Sequence, residues 1–420
     1  MAKNATHRII YVYADWLGLE QPTLMGLLHS TSVRGKEIFS FEYDRGWLVS
    51  QNSQILDPEL GLFTGMQYLN DDKPNFGIFL DSSPDRWGRT LMDRREAAQA
   101  RSEGRQPRNL LETDYLLGVY DAHRMGGLRF KESPDGPFLN NNASMATPPW
   151  TSIPELEHAS LKFEEDKDHD TNDLKWLYLL LAPGSSLGGA RPKASVLDNH
   201  GKLWIAKFPS LNDDRDIGGW EMVAHDLARH SGIRVPEVMT GQFYTKKHTF
   251  LTQRFDRTPQ GRIHFSSAMT LLGYTDGTNY SSGVSYLELA EFIMQNGANP
   301  DSDLQELWSR IVFFICIGNT DDHLRNHGFL LTERGWILSP AYDLNPVPTG
   351  TGLSLNISDT DNSLSIDLAL EVAGYFRVSE KRAKEIVNHI QSTVSKWEVV
   401  AEKIGIPKSE RNLMARAFKV

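Results

Sequence analysis

Gly-Asn-Thr-Asp-Asp-His-Leu-Arg-Asn, residues 318–326, is the most informative segment of the sequence, taken together with Asp343 further along the chain. Asp321 and Asn326 stand in this stretch with four residues between them. The preceding segment, 303–318, has apolar residues at helical spacing and predicts a buried helix. The predicted order is therefore a buried helix and then a polar loop that carries Asp321 and Asn326.

Two short strands, 328–331 and 336–338, are predicted after the loop, and Asp343 follows the second of them. Phosphoryl transfer needs a carboxylate that takes the proton of the attacking hydroxyl, and oxygen ligands that hold Mg²⁺ against the phosphates. Kinases space these groups as an Asp, four residues, an Asn, a hairpin and a second Asp. Asp321, Asn326 and Asp343 match that order, although the loop alone also fits a polar turn with capping residues.

A phosphate-binding loop is predicted upstream. Residues 183–191, Pro-Gly-Ser-Ser-Leu-Gly-Gly-Ala-Arg, are small enough for backbone N–H groups to approach phosphate oxygens, although no Walker A Gly-Lys-Ser/Thr follows. Two strands, 193–197 and 203–208, come next, and the second carries Lys207 where kinases place the lysine that holds the α- and β-phosphates. Alone, these features also fit a flexible loop and a surface lysine.

A helix is predicted over 217–231, and its Glu221 could form an ion pair with Lys207. A strand over 249–256 then predicts a hinge whose backbone could bond an adenine ring. Each feature has an ordinary alternative, a helix-face glutamate or a core strand. The linear order of loop, lysine, glutamate, hinge, polar loop and second carboxylate in one chain favours a kinase-type fold.

Elsewhere the patterns predict a strand over 7–14, two β-like runs around a turn within 37–50, and a helix over 84–100. Near the end of the chain, apolar residues at helical spacing predict a helix over 379–400, with Ser379 as its N-cap. A mixed α and β architecture follows from these patterns.

The composition is ordinary for a globular protein, with 40% hydrophobic and 23% charged residues. A formal net charge of −10 disfavours nucleic acid as the main partner, because phosphate neutralisation needs clustered Lys and Arg. The single cysteine, Cys316, fits a reducing compartment. No apolar run approaches the roughly 20 residues that cross a bilayer and no signal core is seen, so we expect a cytoplasmic protein without a membrane partner.

The sequence resembles the HipA family, serine/threonine protein kinases that are the toxins of bacterial type II toxin–antitoxin systems. The motifs that carry the resemblance are Ser186–Lys193 (SLGGARPK), Ile205–Pro209 (IAKFP), Gln253–Arg257 (QRFDR), Gly318–Asn326 and Leu338–Leu344 (LSPAYDL). The resemblance implies an α+β, two-lobed protein-kinase-like fold with an N-terminal mixed α/β subdomain and a helical C-terminal lobe. The implied regions are 1–140, a HipA-type α/β subdomain, 150–258, a nucleotide-binding N-lobe-like region, and 259–420, a mainly helical catalytic C-lobe.

The resemblance also implies a role for each matching residue, with ATP and Mg²⁺ as cofactors. Asp321 is the catalytic base, and Asn326 and Asp343 are Mg²⁺ ligands. Glu221, placed on the predicted helix by the order of elements, remains the structural ion-pair partner of Lys207. The residues implied in nucleotide binding are Gly188, Gly189, Ala190, Arg191, Pro192, Lys193, Lys207, Gln253, Arg254, Phe255, His323, Leu324, Arg325, Asn326, Tyr342 and Asp343.

A phosphorylation switch is implied within the Gly-rich loop. Ser186 matches the autophosphorylated serine of the family, and Ser185 is adjacent to it. A phosphate there adds about −1.5 to −2 charge beside the nucleotide phosphates, so repulsion is expected to displace the loop and inhibit the kinase.

The function implied by the resemblance is translation arrest through phosphorylation of an aminoacyl-tRNA synthetase, typically the glutamyl enzyme. The implied partner is a HipB-like helix-turn-helix antitoxin, through which DNA would be bound only indirectly. Two alternatives remain at this point: a small-molecule kinase, which shares the Asp-x4-Asn geometry, and a non-catalytic nucleotide-binding co-repressor.

The chain departs from the family pattern at several positions. Arg191-Pro192 replaces a Gln-Glu or Ser-x pair in the loop, and Gln253 replaces an acidic hinge residue. Asp322 stands where glycine is frequent and adds charge near the metal. His323 and His327 beside aspartates also allow a metal hydrolase, although no third ligand follows at a known spacing.

Overall fold

The structure is a computed structural model that describes residues 6–33, 35–69, 73–141, 147–165, 177, 179–180 and 189–420. Ser185, Ser186 and Gly188 of the predicted phosphate loop lie outside the described residues. Among the described residues, none of the helices is long and apolar enough to span a membrane.

The chain forms two compact units. The first consists of Met1–Ala206 with Asp256–Ser266, and the second of Lys207–Phe255 with Ser267–Val420. These boundaries differ from the three regions that the family resemblance implies, and that division stays a prediction.

Strands and helices are mixed along most of the chain, and after the last strand only helices follow among the described residues. The strands are β1 (Thr6–Ala14), β2 (Thr23–Val33), β3 (Lys36–Tyr43), β4 (Gln67–Tyr68), β5 (Leu128–Lys131), β6 (Lys193–Leu197), β7 (Leu203–Lys207), β8 (Val238–Gly241), β9 (Thr249–Gln253), β10 (Arg257–Thr258), β11 (Gly261–Arg262), β12 (Phe265–Ser267), β13 (Gly328–Thr332) and β14 (Gly335–Leu338). The α-helices are α1 (Arg45–Val49), α2 (Gly77–Asp81), α3 (Arg86–Ser102), α4 (Glu112–Gly118), α5 (Ile153–Glu165), α6 (Ile217–His230), α7 (Ala268–Leu271), α8 (Tyr286–Asn296), α9 (Pro300–Ile317), α10 (Ile366–Val372), α11 (Glu380–Val394), α12 (Trp397–Ile404) and α13 (Lys408–Met414).

The first unit is built on a five-stranded sheet of order β4-β3-β2-β1-β5, in which neighbouring strands run antiparallel. Ile10, Leu28 and Phe41 face one another across β1, β2 and β3, and all three are fully buried. Because side chains alternate along a strand, this row fixes one face of the sheet as the core face.

The second β-like run predicted within 37–50 is wrong, because the chain turns into the short helix α1 after β3. The carboxylate of Asp44 accepts hydrogen bonds from the backbone N–H of Gly46 at 2.8 Å and of Trp47 at 3.3 Å. These bonds satisfy free donors at the helix start, and Trp47 is buried completely.

The second unit is centred on helix α9, which confirms the buried helix predicted before the polar loop. Pro300 occupies its first turn, and Gly318 ends it with a left-handed φ of 63°. Cys316 is buried near its end, and burial raises the pKa of its thiol to about 12, so this cysteine is a packing residue.

The hairpin predicted after the loop is also present in the second unit. β13 pairs antiparallel with β14, with Phe329 opposite Leu338 and Thr332 opposite Gly335. The predicted helix over 379–400 is capped by Ser379 as expected, but it divides into α11 and α12. The hairpin is the element that carries the chain from Asn326 to Asp343.

Candidate active site

Lys207 lies between two carboxylates in the second unit. Its Nζ donates to Glu221 Oε1 at 2.6 Å and to Asp343 Oδ1 at 2.7 Å. Lys207 ends strand β7, Glu221 lies on helix α6, and Asp343 follows strand β14. The ion pair predicted between Lys207 and Glu221 is therefore present in the geometry, and Asp343 shares the same ammonium group.

The ammonium group of Lys207 stays charged in this setting. Burial alone would lower its pKa, but the carboxylates of Asp343 and Glu221 outweigh burial and raise the pKa above its ordinary value. The Glu221 side chain is only 4% exposed, whereas that of Asp343 is 28% exposed. Asp343 is thus the member of the cluster that solvent, or a ligand, can reach.

Asp343 is held in an unusual backbone conformation. Its φ is 59°, in the left-handed region where residues other than glycine carry a cost on the order of 1 kcal/mol. The side-chain amide of Asn345 donates to Asp343 Oδ1 at 3.2 Å, and the backbone N–H of Asn345 donates to Asn319 Oδ1 at 3.2 Å. Asn319 begins the polar loop, so these bonds connect that loop to the segment around Asp343.

The polar loop between α9 and β13 contains a short 3-10 turn, Leu324–Asn326. The carbonyl oxygen of Asp321 accepts from the backbone N–H of His323 and from Asn326 Nδ2, both at 3.0 Å. Because the amide nitrogen of Asn326 is directed to Asp321, its Oδ1 is the atom that can ligate a cation. The Asp-x4-Asn spacing therefore closes a compact loop.

The carboxyl group of Asp321 has a raised pKa. Burial is the main cause, the nearby His323 opposes it, and the negative charges of Asp343 and Asp322 add to it. A carboxylate raised in this way is a better proton acceptor than an exposed one, which suits a general base. The same repulsion between carboxylates would be relieved by a cation.

The donor set around Asp321 fits a hard cation. Carboxylate and amide oxygens are the ligands that Mg²⁺ takes, and it is held through one or two carboxylates together with substrate phosphates. Among the described residues, no group of three or more His, Cys, Asp or Glu side chains is placed to hold a metal ion by itself.

The predicted hinge and loop residues of the second unit lie as follows. The backbone N–H of Gln253 donates to Glu237 O at 2.9 Å, Arg254 is buried, and the ring of Phe255 lies 5.6 Å from that of Tyr342.

The Tyr342 hydroxyl donates to the carbonyl oxygen of Arg325 at 2.7 Å. Leu324 is buried, and Arg325 forms an ion pair of 3.6 Å with the exposed Asp276.

The described part of the phosphate loop, Gly189 to Lys193, belongs to the first unit. Gly189 has a left-handed φ of 101°, Gly189 and Ala190 are exposed, Arg191 is half-buried and Pro192 is buried. Lys193 is buried as well, and its Nζ donates to Asp85 Oδ2 at 2.8 Å and to Gly189 O at 3.0 Å. The structure therefore gives Lys193 an ion pair that the sequence patterns did not predict.

The sequence patterns missed two groups that support the loop. One is the pair Asn319 and Asn345, for which the only sequence signal was their position beside Asp321 and Asp343. The other is the set Tyr286, Asp322 and His327, which joins the loop to a helix far away in sequence. No local spacing marks the contact between Tyr286 and Asp322.

The chain has three features of protein kinases. They are a lysine bonded to a helix glutamate, an Asp-x4-Asn loop, and a second aspartate after a hairpin. The family described as HipA-like C-terminal domain matches residues 185–397, half of the chain. The chain belongs to this family, and the resemblance seen in its motifs is confirmed.

Similar proteins agree with this assignment. The chain is 28% identical over 233 residues to a protein named "Putative kinase Y4dM" from Sinorhizobium fredii, covering 50% of this chain and 55% of that protein. It is 28% identical over 187 residues to one named "Putative kinase" from Haemophilus influenzae, covering 39% and 54%. The matched part of the chain thus spans about half the length of these relatives.

The fold is shared with a solved structure of a toxin–antitoxin complex, HipA and HipB with operator DNA from Shewanella oneidensis MR-1. The TM-score is 0.64 at 18% identity, and the match covers 97% of this chain and 94% of that one. The predicted α+β, two-lobed protein-kinase-like fold class is confirmed by this likeness.

Proposed function

We propose that the chain is an ATP- and Mg²⁺-dependent serine/threonine protein kinase and the toxin of a toxin–antitoxin module. The observation that carries the proposal is the bonding of Lys207 to both Glu221 and Asp343. The negative charge of Asp343 also helps to raise the pKa of Asp321. A lysine–glutamate pair and a metal-binding aspartate are the groups that an active protein kinase holds in place.

Each residue has one role in this proposal. Asp321 accepts the proton of the attacking hydroxyl, and Lys207 binds the α- and β-phosphates while Glu221 keeps its ammonium group in position. Asn326 and Asp343 would hold Mg²⁺ through oxygen atoms. When bound, that ion supplies positive charge against the phosphate oxygens of the nucleotide.

The nucleotide-binding residues retain the roles that the family implies. Gln253, Arg254 and Phe255 would bind the adenine ring mainly through backbone atoms, and His323, Leu324, Arg325 and Tyr342 would line the nucleotide. Gly188, Gly189, Ala190, Arg191, Pro192 and Lys193 would cover the phosphates. Ser186, or its neighbour Ser185, would be the inhibitory autophosphorylation site.

The substrate and partner are proposed from the family as well. The substrate would be an aminoacyl-tRNA synthetase, the glutamyl enzyme in the first instance, and the partner a helix-turn-helix antitoxin of the HipB kind that contacts DNA on behalf of both. The net charge of −10 supports indirect rather than direct DNA binding. The cytoplasm is the compartment in which such a kinase would meet both.

The catalytic assignment is tested by Asp321→Asn, which keeps the shape of the side chain and removes its charge. Phosphate transfer from labelled ATP to the chain itself and to proteins of a cell lysate is expected to fall by about 100-fold or more. The matched control is Asp359→Asn, an exposed aspartate of the same unit, which is expected to leave transfer unchanged. Full transfer by Asp321→Asn would reject the assignment.

The same assay separates the proposed function from its alternatives. Label on a protein of synthetase mass supports the protein kinase, whereas label only on small molecules favours the small-molecule kinase. Nucleotide binding without any transfer would favour the co-repressor. Intact and peptide mass spectrometry after incubation with ATP are expected to find phosphate on Ser186, and phosphate only at other residues would reject the loop switch.

A further inference from the structure

The carboxylate of Asp322, next to the proposed base, lies in the core of the second unit and not at its surface. Its Oδ2 accepts hydrogen bonds from the Tyr286 hydroxyl at 2.5 Å and from His327 Nε2 at 2.7 Å. All three residues are buried, with Asp322 1% exposed and the other two 0% exposed. The carboxylate of Asp322, which lies next to the proposed metal site in sequence, is therefore bonded within the protein core.

The contact joins two residues that are adjacent in sequence to the proposed functional residues. Asp322 immediately follows Asp321, and His327 immediately follows Asn326. Consecutive Cα atoms are about 3.8 Å apart, so a bond between Asp322 and His327 fixes both functional residues almost directly. The carbonyl oxygen of His327 also accepts from the backbone N–H of Ala268 at 2.8 Å, which holds that end of the loop to helix α7.

Tyr286 anchors the same contact to a rigid element. It is the first residue of helix α8, whose start is fixed by a capping box between Ser285 and Glu288. The ring of Tyr286 meets that of His327 edge-on, with centroids 5.6 Å apart. The loop is thereby tied to a helix that contributes none of the proposed catalytic groups.

We propose that Asp322, with Tyr286 and His327, is a positioning group that holds Asp321 and Asn326 in their reactive geometry. A buried carboxylate is costly to desolvate, and apolar side chains of similar size would pack at this place with less loss. Apolar packing would not fix the two ends of an irregular loop relative to each other. The inference rests on the proposed kinase function, because it assigns these residues to the same site.

The test compares Asp322→Ala with Asp322→Asn in the rate of γ-phosphate transfer from ATP to the chain itself and to casein. Asp322→Ala is expected to lower the maximal rate by about 100-fold, since a displacement near 1 Å can cost that much. The ATP concentration at half-maximal rate is expected to change by less than about threefold, because ground-state binding is not the interaction removed. Asp322→Asn retains an acceptor oxygen for Tyr286 and His327 and is expected to recover most of the rate.

Tyr286→Phe is the second variant, because it removes one hydroxyl, keeps the Asp322–His327 bond and is the least disturbing to folding. It is expected to lower the maximal rate by about tenfold. The matched control is Asp216→Ala, which breaks another buried aspartate–histidine pair of the same unit, that with His248. Asp216→Ala is expected to lower the melting temperature without a comparable loss of maximal rate.

Several outcomes would overturn the positioning role. These are an Asp322→Ala rate within about threefold of the unaltered chain, an equal loss in Asp216→Ala, and no recovery in Asp322→Asn. Loss in Asp321→Asn together with full activity in Asp322→Ala would reject the positioning role alone. Full activity in Asp321→Asn, or no transfer by the unaltered chain, would reject the proposed function and this inference with it.

Discussion

Lys193 and Lys207 each lie against a carboxylate, one in each unit of the chain, yet the two clusters differ in how far solvent reaches them. The side chains of Lys193 and Asp85 are 4% and 5% exposed, and the indole N–H of Trp87 donates to the backbone of Lys193 at 3.1 Å. At Lys207 the Glu221 side chain is equally buried, but that of Asp343 is 28% exposed.

This difference in exposure indicates different roles for the two lysine–carboxylate clusters. A closed pair contributes to the structure, because removing one partner leaves a charge in the core. A cluster with one accessible carboxylate can exchange a partner for a ligand while its buried members stay in place. Both lysines were predicted to bind nucleotide, and this contrast gives each prediction a separate test.

The largest effect is expected from Asp343→Asn. Asparagine tolerates the left-handed backbone at this position better than most residues other than glycine, so the fold is expected to survive with little change in melting temperature. Without the negative charge that would hold Mg²⁺, transfer from labelled ATP is expected to fall by about 1000-fold, or about 4 kcal/mol. If the Mg²⁺ dependence of transfer were unchanged in Asp343→Asn, the exposed carboxylate would have no role in Mg²⁺ binding. The proposed difference between the clusters at Lys207 and Lys193 would then fail.

Lys193→Met is expected to act on stability instead. The Asp85 carboxylate would remain buried without its ammonium partner, and urea unfolding is expected to show a loss of about 3 kcal/mol. The double variant Lys193→Met/Asp85→Asn is expected to recover part of that loss, since Asn can still accept from the backbone N–H of Gly88 at the start of α3. Weaker nucleotide binding at unchanged stability would contradict this and support the nucleotide-binding role of Lys193.

Asp57 is a buried carboxylate whose hydrogen-bond donors are backbone groups, unlike Asp85, which has an ammonium partner. Asp57 accepts from the backbone N–H of Glu59 at 2.9 Å and of Ile78 at 3.1 Å, and burial outweighs these bonds and raises its pKa to about 6. Because the folded state binds the proton more tightly, its contribution to stability is full below about pH 4 and is lost as the pH rises through about 6.

The loss at Asp57 is expected to be about 2 to 3 kcal/mol between pH 4 and pH 7. Urea unfolding at a series of pH values measures it, and Asp57→Asn is expected to flatten the curve over that interval. A curve of the same shape in Asp57→Asn would assign the pH dependence to other groups and weaken the contrast with Asp85.

The fold class predicted from the sequence is confirmed by the likeness to a solved structure, whereas the roles of the candidate site residues stay predictions. Spacing and order that match those of kinases made Asp321, Asn326, Asp343, Lys207 and Glu221 candidates. The structure brings Lys207, Glu221 and Asp343 together. The ion pair between Lys193 and Asp85 could not, since it joins residues more than a hundred positions apart. Helix α1 was missed because Trp47 and Val49 favour strands by propensity, and the cap at Asp44 decides the outcome locally. The break between α11 and α12 carries no proline or glycine signal.

The smallest effect is expected at Asn345, whose amide donates to Asp343 Oδ1 at 3.2 Å. Groups that orient a metal ligand without touching the metal commonly change metal affinity by 10- to 100-fold, and this bond is long, so Asn345→Ala is expected to raise the Mg²⁺ concentration at half-maximal transfer by about tenfold. The matched control is Asn362→Ala, which removes an amide that donates to Leu353 O in the same unit. An equal shift in both variants would mean that Asn345 acts only through stability. A shift in Asn345→Ala alone would show that the exposed carboxylate of Asp343 needs the hydrogen bond from Asn345 to keep its orientation. The buried pair of Lys193 and Asp85 is held in place by the packing around it.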